Sequence, residues 1–161
     1  MHDVLVGYDG SAAARQAVTF AIDLARRYAA TLHVLVVARA PDWGALAHER
    51  LELVEHEVRH CEEILAELKS SLPATVDGAR FDLVVGQPAK EIVLYAEKHE
   101  IDHLVVGHRG HTLFDRWLIG SVARQVIAYA PCAVTIVRDR AETMRSRAKA
   151  RTQPESEDAA L

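Results

Sequence analysis

The chain has 161 residues, 50% hydrophobic and 26% charged, which is the size and composition of one soluble globular domain. Its net charge of −4 argues against a nucleic-acid-binding protein, which usually carries a basic excess. No apolar run approaches the roughly 20 residues of a membrane-spanning helix, so we expect no membrane insertion. Both cysteines, Cys61 and Cys132, fall in apolar patterns, which disfavours a disulfide scaffold and indicates the reducing cytoplasm.

Strand and helix patterns alternate along most of the chain. Short β-rich runs predict five strands, at Val4–Tyr8, Thr31–Val37, Phe81–Val85, Ile101–Val106 and Cys132–Val137. Amphipathic patterns predict four helices: one begins after the Asp9-Gly10-Ser11 turn, one runs from Leu51 to Leu72, one begins at Pro88, and one runs from about Ser121 to Ala130. This βαβαβαβαβ order predicts an α/β domain with a mostly parallel sheet, right-handed crossovers and helices on both faces.

The long second helix has apolar residues at alternating spacings of three and four: Leu51, Val54, Val58, Cys61, Leu65, Leu68 and Leu72. This pattern predicts an amphipathic helix that packs its apolar stripe on a sheet. The same helix contains His56-Glu-Val-Arg-His60, which matches the H-E-x-x-H pattern of zinc proteases. The two histidines lie off the apolar stripe, so we predict that they point largely to solvent and disfavour a protease site.

Glycines and a serine at fixed spacing follow the fourth predicted strand: Gly107, two residues, Gly110, nine residues, Gly120 and Ser121. Glycines at a strand end let backbone N–H groups approach a ligand closely. A Gly-Ser pair that opens a helix adds a hydroxyl, amides and the positive end of the helix dipole, and we expect Ser121 to be the N-cap. The stretch therefore predicts an anion-binding cradle, and a nucleotide phosphate is the obvious anion.

Asp9 follows the first predicted strand in the same way that Gly107 follows the fourth. If these two strands are neighbours where the strand order reverses, both residues flank one crevice, the usual ligand site of open α/β sheets. Either Asp9 or Ser11 can cap the first helix, and we favour a ligand-binding role for Asp9.

Several catalytic signatures are missing from the sequence. It has no Walker A pattern, and the turn from Gly7 to Gly10 is not G-x-G-x-x-G. Paired carboxylates, a nucleophile elbow and a Cys-His arrangement are also missing. These observations disfavour a dehydrogenase or a P-loop ATPase and favour a binding protein, with enzymatic activity left open.

The glycine-serine stretch and three others resemble the universal stress protein family: residues 4–11 (VLVGYDGS), 86–89 (GQPA) and 130–134 (APCAV). The resemblance covers roughly residues 3 to 138. It implies a five-stranded parallel sheet in the order 3-2-1-4-5 that binds ATP at the switch point, with Mg²⁺ or Mn²⁺ as the candidate companion ion. It further implies a homodimer paired through the last strand, Cys132–Val137, and leaves the protein partner unknown. We therefore expect a nucleotide-binding domain at 1–138 and a charged, flexible tail at 139–161.

The resemblance assigns ten residues to the nucleotide, all at strand ends or near the fourth helix. Those assigned to the base and ribose are Gly7, Tyr8, Asp9 and Val37 (at the end of strand two). Those assigned to the ribose and phosphates are Val106, Gly107, Gly110, Gly120, Ser121 and Val122. Four loop cations, His108, Arg109, His111 and Arg116, could pair with phosphate oxygens, but such side chains are more often solvated.

Three hypotheses follow. The first is an ATP-binding, homodimeric stress or signalling module of the cytoplasm, whose nucleotide biases its conformation or partner choice. The second is a slow ATPase or self-phosphorylating enzyme, in which Arg109 or Arg116 stabilises the negative charge on the phosphoryl group during its transfer. The third is a protein that binds another adenine nucleotide, such as cyclic AMP or AMP, in the same crevice.

Overall fold

Nine regular elements alternate along the described chain. The computed structural model describes residues 1–40, 47–72, 76, 78–108 and 119–138, with 47–50 described by their backbone alone. The elements are β1 (Asp3–Tyr8), α1 (Ala12–Tyr28), β2 (Thr31–Arg39), α2 (Ala47–Ser71), β3 (Arg80–Gly86), α3 (Pro88–Lys98), β4 (His103–Gly107), α4 (Ser121–Tyr129) and β5 (Ala133–Val137). The expected tail, residues 139–161, lies outside the described residues.

The five strands form one parallel sheet in the order β3-β2-β1-β4-β5, which confirms the predicted fold. Alternate residues of the central strands point to opposite faces, and both faces are covered, so β1, β2 and β4 are almost entirely apolar. Helices α1 and α2 pack on one face with Val4, Val6 and Val34, whereas α3 and α4 pack on the other with Leu5 and Leu35.

Helix α1 lies close to the sheet because its buried face is made largely of alanine: Ala13, Ala14, Ala17, Ala21 and Ala25, together with Val18. Alanine has no side chain beyond Cβ, which allows a short distance between helix and strands. The helix ends at Ala29, whose left-handed backbone (φ 51°, ψ 38°) directs its N–H to the last carbonyls of the helix.

The structure confirms only part of the apolar stripe that was predicted for helix α2. Cys61, Leu65 and Leu68 are buried against the sheet, but Leu51 is 61% exposed. The helix has 25 residues and is about 37 Å long. The nine residues of β2 span only about 30 Å, so a helix of this length extends past the strand. No helix in the described part of the chain is long and apolar enough to cross a membrane.

Each of the five predicted strands differs from the structure by one or two residues at one or both ends, and for three of them the pairing or hydrogen bonding explains the difference. β2 continues two residues beyond Val37, because it stays paired with β3 up to Arg39. β4 begins at His103 instead of Ile101, because the Ile101 N–H still donates to Ala96 O at the end of α3. β5 begins at Ala133 instead of Cys132, since its pairing with β4 starts there.

Candidate functional site

A cleft of about 390 Å³ lies at the carboxyl ends of β1, β2 and β4. This volume is within the usual range of small-molecule sites. The sheet runs from β1 to β2 on one side and to β4 on the other, so the cleft is at the topological switch point. Its walls come from α2, from the start of α3 and from the start of α4.

Nine of the ten residues assigned to the nucleotide line this cleft: Gly7, Tyr8, Asp9, Val37, Val106, Gly107, Gly120, Ser121 and Val122. The tenth, Gly110, lies outside the described residues, as do Arg109, His111 and Arg116. The structure therefore brings together positions that are up to 115 residues apart in the sequence. Their roles toward a ligand stay predictions.

The N-terminus of α4 faces the cleft with unused backbone donors. Gly120, and not Ser121 as predicted, is the N-cap, so no side chain caps this helix. The first intrahelical bond runs from Arg124 N–H to Gly120 O at 3.0 Å. The N–H groups of Ser121, Val122 and Ala123 therefore have no acceptor within the helix, and with the helix dipole they favour an anion.

The amide of Gly120, which lines the cleft, is hydrogen-bonded within the protein. Its N–H donates to the carbonyl of His108 at 2.9 Å, and the His108 N–H donates to Val137 O at 2.7 Å. These bonds join the ends of β4 and β5 to the start of α4. His108 is also only 5% exposed, so the expectation that this loop histidine is solvated is wrong.

Gly107 lets β4 approach the start of α1. A Cβ atom at Gly107 would lie 3.0 Å from the carbonyl carbon of Ala13 and 3.1 Å from the Ala14 nitrogen. Both distances are shorter than ordinary van der Waals contact, and both neighbours are backbone atoms. The glycine is therefore required for this close packing beside the cleft.

Of the two residues that could cap α1, the structure shows Ser11 in that role. Ser11 Oγ accepts the Ala14 N–H at 3.1 Å, while Asp9 Oδ1 accepts the Ser11 N–H at 3.0 Å. Gly10 between them has φ of +77°, a conformation that side chains rarely adopt. Asp9 is thus held at the rim of the cleft by the turn, while Ser11 caps the helix.

One wall of the cleft was not predicted from the sequence. It consists of Arg39 at the end of β2 and, from α2, Glu57, His60, Cys61 and Ile64. Burial, followed by the charge of Glu57, raises the pKa of the Cys61 thiol to about 11, so the thiol is neutral at physiological pH. Arg39 follows the predicted second strand by two residues, and this position was the sequence signal that could have indicated it as a cleft residue.

The histidine pair of α2 is exposed, as predicted, although His60 reaches the rim of the cleft. Within the described ranges no three His, Cys, Asp or Glu side chains are grouped so that they could hold a metal ion. His56 and His60 are thus surface residues of a helix that packs on the sheet through its opposite face.

The fold and the cleft together define a doubly wound α/β protein with a cleft at its switch point. Residues 1–138 match the universal stress protein family, and the chain belongs to that family. A universal stress protein of Methanocaldococcus jannaschii is 32% identical over 137 residues, covering 84% of this chain and 81% of the relative.

Two solved structures show the same similarity. The universal stress protein UspA of Lactobacillus plantarum is 30% identical, with a TM-score of 0.74 over 85% of this chain and 97% of the other. A universal stress protein in complex with cAMP is 25% identical, with a TM-score of 0.55 over 84% of this chain and 95% of the other. This second relative carries an adenine nucleotide.

Proposed function

We propose that the protein binds an adenine nucleotide, with ATP as the principal ligand, and acts as a nucleotide-dependent stress or signalling module. The observation that carries the proposal is the uncapped N-terminus of α4, which presents three backbone donors to a cleft at the switch point. In this proposal the donors of Ser121 and Val122 bind phosphate oxygens. Gly110 completes the phosphate side, as the family resemblance implies.

In this proposal the β2 side of the cleft holds the purine base. Val36 and Val37 of β2 line the cleft, and Tyr8 and Asp9 at the end of β1 come between β2 and β4 in the strand order. Apolar side chains on one side of a cleft and N–H donors on the other match a base joined to phosphate. The cAMP complex of a relative supports an adenine nucleotide, and cyclic AMP and AMP are the alternatives to ATP.

A divalent cation, Mg²⁺ or Mn²⁺, is proposed only as a companion of the nucleotide. No group of acidic or histidine side chains in the described ranges could hold a metal by itself. The phosphates would therefore supply most of the ligands of the cation. We expect ATP affinity to depend on Mg²⁺ or Mn²⁺, and no binding of either ion without nucleotide.

Two substitutions at Ser121 test the phosphate site with little change to the fold. Ser121→Ala removes the hydroxyl, whereas Ser121→Pro removes both the hydroxyl and the amide donor. Proline is well tolerated at the first helical position, and Gly120 already has the extended backbone (φ −56°, ψ 153°) that must precede it. Each lost hydrogen bond to a charged phosphate costs about 1.5–3 kcal/mol, or roughly 10- to 150-fold in affinity.

Isothermal titration calorimetry with ATP, AMP, cAMP and GTP measures the effect. We expect saturable binding of adenine nucleotides, weaker binding to Ser121→Ala and the weakest to Ser121→Pro. Gln125→Ala, on the exposed side of the same helix, is the control and should bind like the original protein. Absence of saturable binding, or equal affinity in all variants, would refute the proposal.

We also propose that two copies pair through the last strand, Cys132–Val137. β5 is at the edge of the sheet, with β4 on one side only, and an apolar edge strand favours pairing with another strand. Analytical ultracentrifugation should show a dimer that Ala133→Lys, on the edge strand, weakens. Ala128→Lys adds the same charge to an exposed position of α4 and should leave the dimer intact. A monomer, or equal effects of both lysines, would contradict the proposal.

The cytoplasm is the proposed compartment. ATP is available there, and the reducing conditions keep thiols free. Both cysteines of the structure, Cys61 and Cys132, are free thiols, as this compartment requires. Fractionation of cells that express the tagged protein at its native level tests the assignment, and recovery outside the cytoplasmic fraction would contradict it.

A further inference from the structure

Residues 51–57 of α2 extend beyond the packed core of the domain and keep apolar side chains exposed. Leu51 is 61% and Leu53 is 53% exposed. Val58 packs against the buried core on the face of the sheet that α1 and α2 cover. Within the described residues, the apolar side chains of α2 before Val58 do not join either buried cluster. Residues 51–57 therefore form an overhang, about 10 Å of helix that the core does not support.

The overhang lies at the end of the sheet that holds the cleft. Near the other end of α2, Lys69 Nζ is 4.9 Å from the ring centroid of Phe81, at the start of β3. From Lys69 to Val58 the helix advances about 17 Å, and β3 advances by about the same length from Phe81 to Gly86. The residues before Val58 thus project past the carboxyl ends of β2 and β3, beside the mouth of the cleft, which Glu57 also lines.

The overhang is acidic as well as apolar. It contains Glu52, Glu55 and Glu57, and neither lysine nor arginine. Val54, two helical turns before the buried Cys61, continues the buried stripe of the helix into this exposed part. A segment that covers the overhang must therefore offer both positive charge and apolar groups.

The segment that follows the last strand has this composition. Arg145, Arg147, Lys149 and Arg151 occur at alternate positions, with no acidic residue among them. In an extended segment alternate side chains point to the same side, so all these charges can face one surface. Met144 precedes them, serine or alanine separates them, and the aliphatic parts of arginine and lysine add apolar surface.

This segment is long enough to reach the overhang. Arg138 directly follows β5, and because the sheet is parallel it lies at the same end of the sheet as the overhang. Three strand spacings, about 14 Å, separate β5 from β2. Residues 139–144 span about 20 Å when extended, so the cations that follow can lie against α2. A direct path from β5 to α2 passes the carboxyl ends of β4 and β1, and therefore crosses the mouth of the cleft.

We propose that residues 140–151 dock on the overhang of α2 in the same chain, across the mouth of the cleft. The cations lie beside Glu55 and Glu57, and the apolar groups cover Leu51 and Leu53. Single ion pairs at a surface are weak, but here several charges act together and the short connection to β5 gives a high effective concentration. Salt screens exposed charges, so docking is lost near 1 M salt, where the Debye length is about 3 Å.

NMR of the full-length chain with a nitroxide label at Ser146→Cys tests the contact. The chain also carries Cys132→Ser, while the buried Cys61 is kept, and the same protein without Ser146→Cys, treated identically, is the reference. At low salt and without nucleotide, the label should reduce the amide signals of residues 51–57. Residues 66–71, about 20 Å farther along the same helix, should lose little, and 1 M NaCl should restore all signals. No reduction, or equal reduction at both ends of the helix, would overturn the proposal.

Charge reversal on α2 tests the chemistry of the contact. Glu55→Lys with Glu57→Lys should abolish the signal reduction, because the cations then face lysines. Glu63→Lys with Glu67→Lys makes the same change of charge on exposed positions where α2 packs on the sheet, and should leave the reduction intact. Equal effects of the two pairs would contradict docking on the overhang.

Two further measurements identify the occupant. Adding Arg147→Glu and Lys149→Glu to the variant with both Glu55→Lys and Glu57→Lys reverses both partners and should restore the signal reduction, and failure to do so would refute the charge pairing. A mixture of nitroxide-labelled chains without ¹⁵N and ¹⁵N chains without nitroxide should show no reduction. Reduction at residues 51–57 in this mixture would show that the segment comes from a second copy, and would overturn docking within one chain.

Discussion

Gly107→Ala tests how tightly the end of β4 packs against α1. The added Cβ would lie 3.0 Å from the carbonyl carbon of Ala13, and 3.1 Å from both Ala13 Cβ and the Ala14 nitrogen. The first turn of α1 cannot avoid this contact by rotating a side chain. The helix must therefore move by several tenths of an ångström away from the sheet, which its capping by Ser11 opposes.

The expected change in the free energy of unfolding is the sum of a loss from overpacking and a smaller gain from reduced freedom of the unfolded chain. Overpacking of a well-packed interior costs about 1–3 kcal/mol. Replacement of glycine by alanine reduces the freedom of the unfolded chain and returns about 0.4–1 kcal/mol. The net change is a decrease of about 1–2 kcal/mol in the free energy of unfolding. For a domain of this size that lowers the melting temperature by roughly 4–8 °C.

Gly7→Ala is the matched comparison, because it places a Cβ at a similar distance from a different kind of neighbour. Its nearest atoms are Ile92 Cδ1 at 3.1 Å and Val106 Cγ1 at 3.4 Å, and side-chain ends such as these can move. Urea denaturation and calorimetry of both variants should show the larger loss for Gly107→Ala. Equal stability of Gly107→Ala and the original protein, or a larger loss in Gly7→Ala, would refute the packing argument.

Three further predictions concern other parts of the fold. Ala29→Gly should raise the free energy of unfolding by about 0.5–1 kcal/mol in urea denaturation, because Ala29 has a left-handed backbone that favours glycine; an unchanged or lower value would contradict this. Hydrogen bonds from the backbone N–H groups of His2 and Asp3 lower the pKa of Asp102, so its stabilisation is present above about pH 3.9 and is lost as the pH falls. Between pH 5 and 3 the free energy of unfolding, measured by urea denaturation, should thus fall less steeply in Asp102→Asn than in the original protein. Identical slopes would contradict a stabilising role of the Asp102 carboxylate. Because the pKa of Cys61 is raised to about 11, a thiol reagent at pH 8 should label it far more slowly in the folded than in the urea-unfolded protein when the other cysteine is serine. Equal rates would show that the cleft leaves the thiol accessible and ionised.

The order of elements and the two-sided burial of the sheet could be predicted from the sequence, because they follow from local patterns. Runs such as Val4–Tyr8 are apolar at successive positions, which is typical of strands covered on both faces. The predictions were wrong where tertiary contacts determine how far a strand or a buried helix face extends. Leu51 fits the apolar stripe of α2, but no sequence pattern shows how far the sheet extends beneath the helix. Ile101 is apolar and β-branched, yet its N–H belongs to the end of α3.

The cleft was predictable to a similar extent. Residues that directly follow strands, such as Asp9 and Gly107, meet at one edge of a parallel sheet whatever their separation in sequence. The contribution of α2 was not predictable, since the positions of Glu57 and His60 depend on where the helix crosses the sheet. Engagement of the Gly120 amide by His108 O also depends on the path between β4 and α4, which the spacing of glycines does not specify.

The two ends of the sheet place different demands on the chain. At the carboxyl end, the uncapped start of α4 at Gly120-Ser121 leaves N–H groups without an acceptor in the helix, which is suited to binding an anion. At the amino end, side chains contact one another in a network: the Tyr95 hydroxyl lies 3.0 Å from His33 Nδ1 and donates to Asp82. Helix α3 contributes to both ends, through Ile92 in the cleft and Tyr95 in the network. The hydrogen bonds of Tyr95 thus lie away from the cleft, so the donors at the start of α4 are not needed to hold α3 on the sheet.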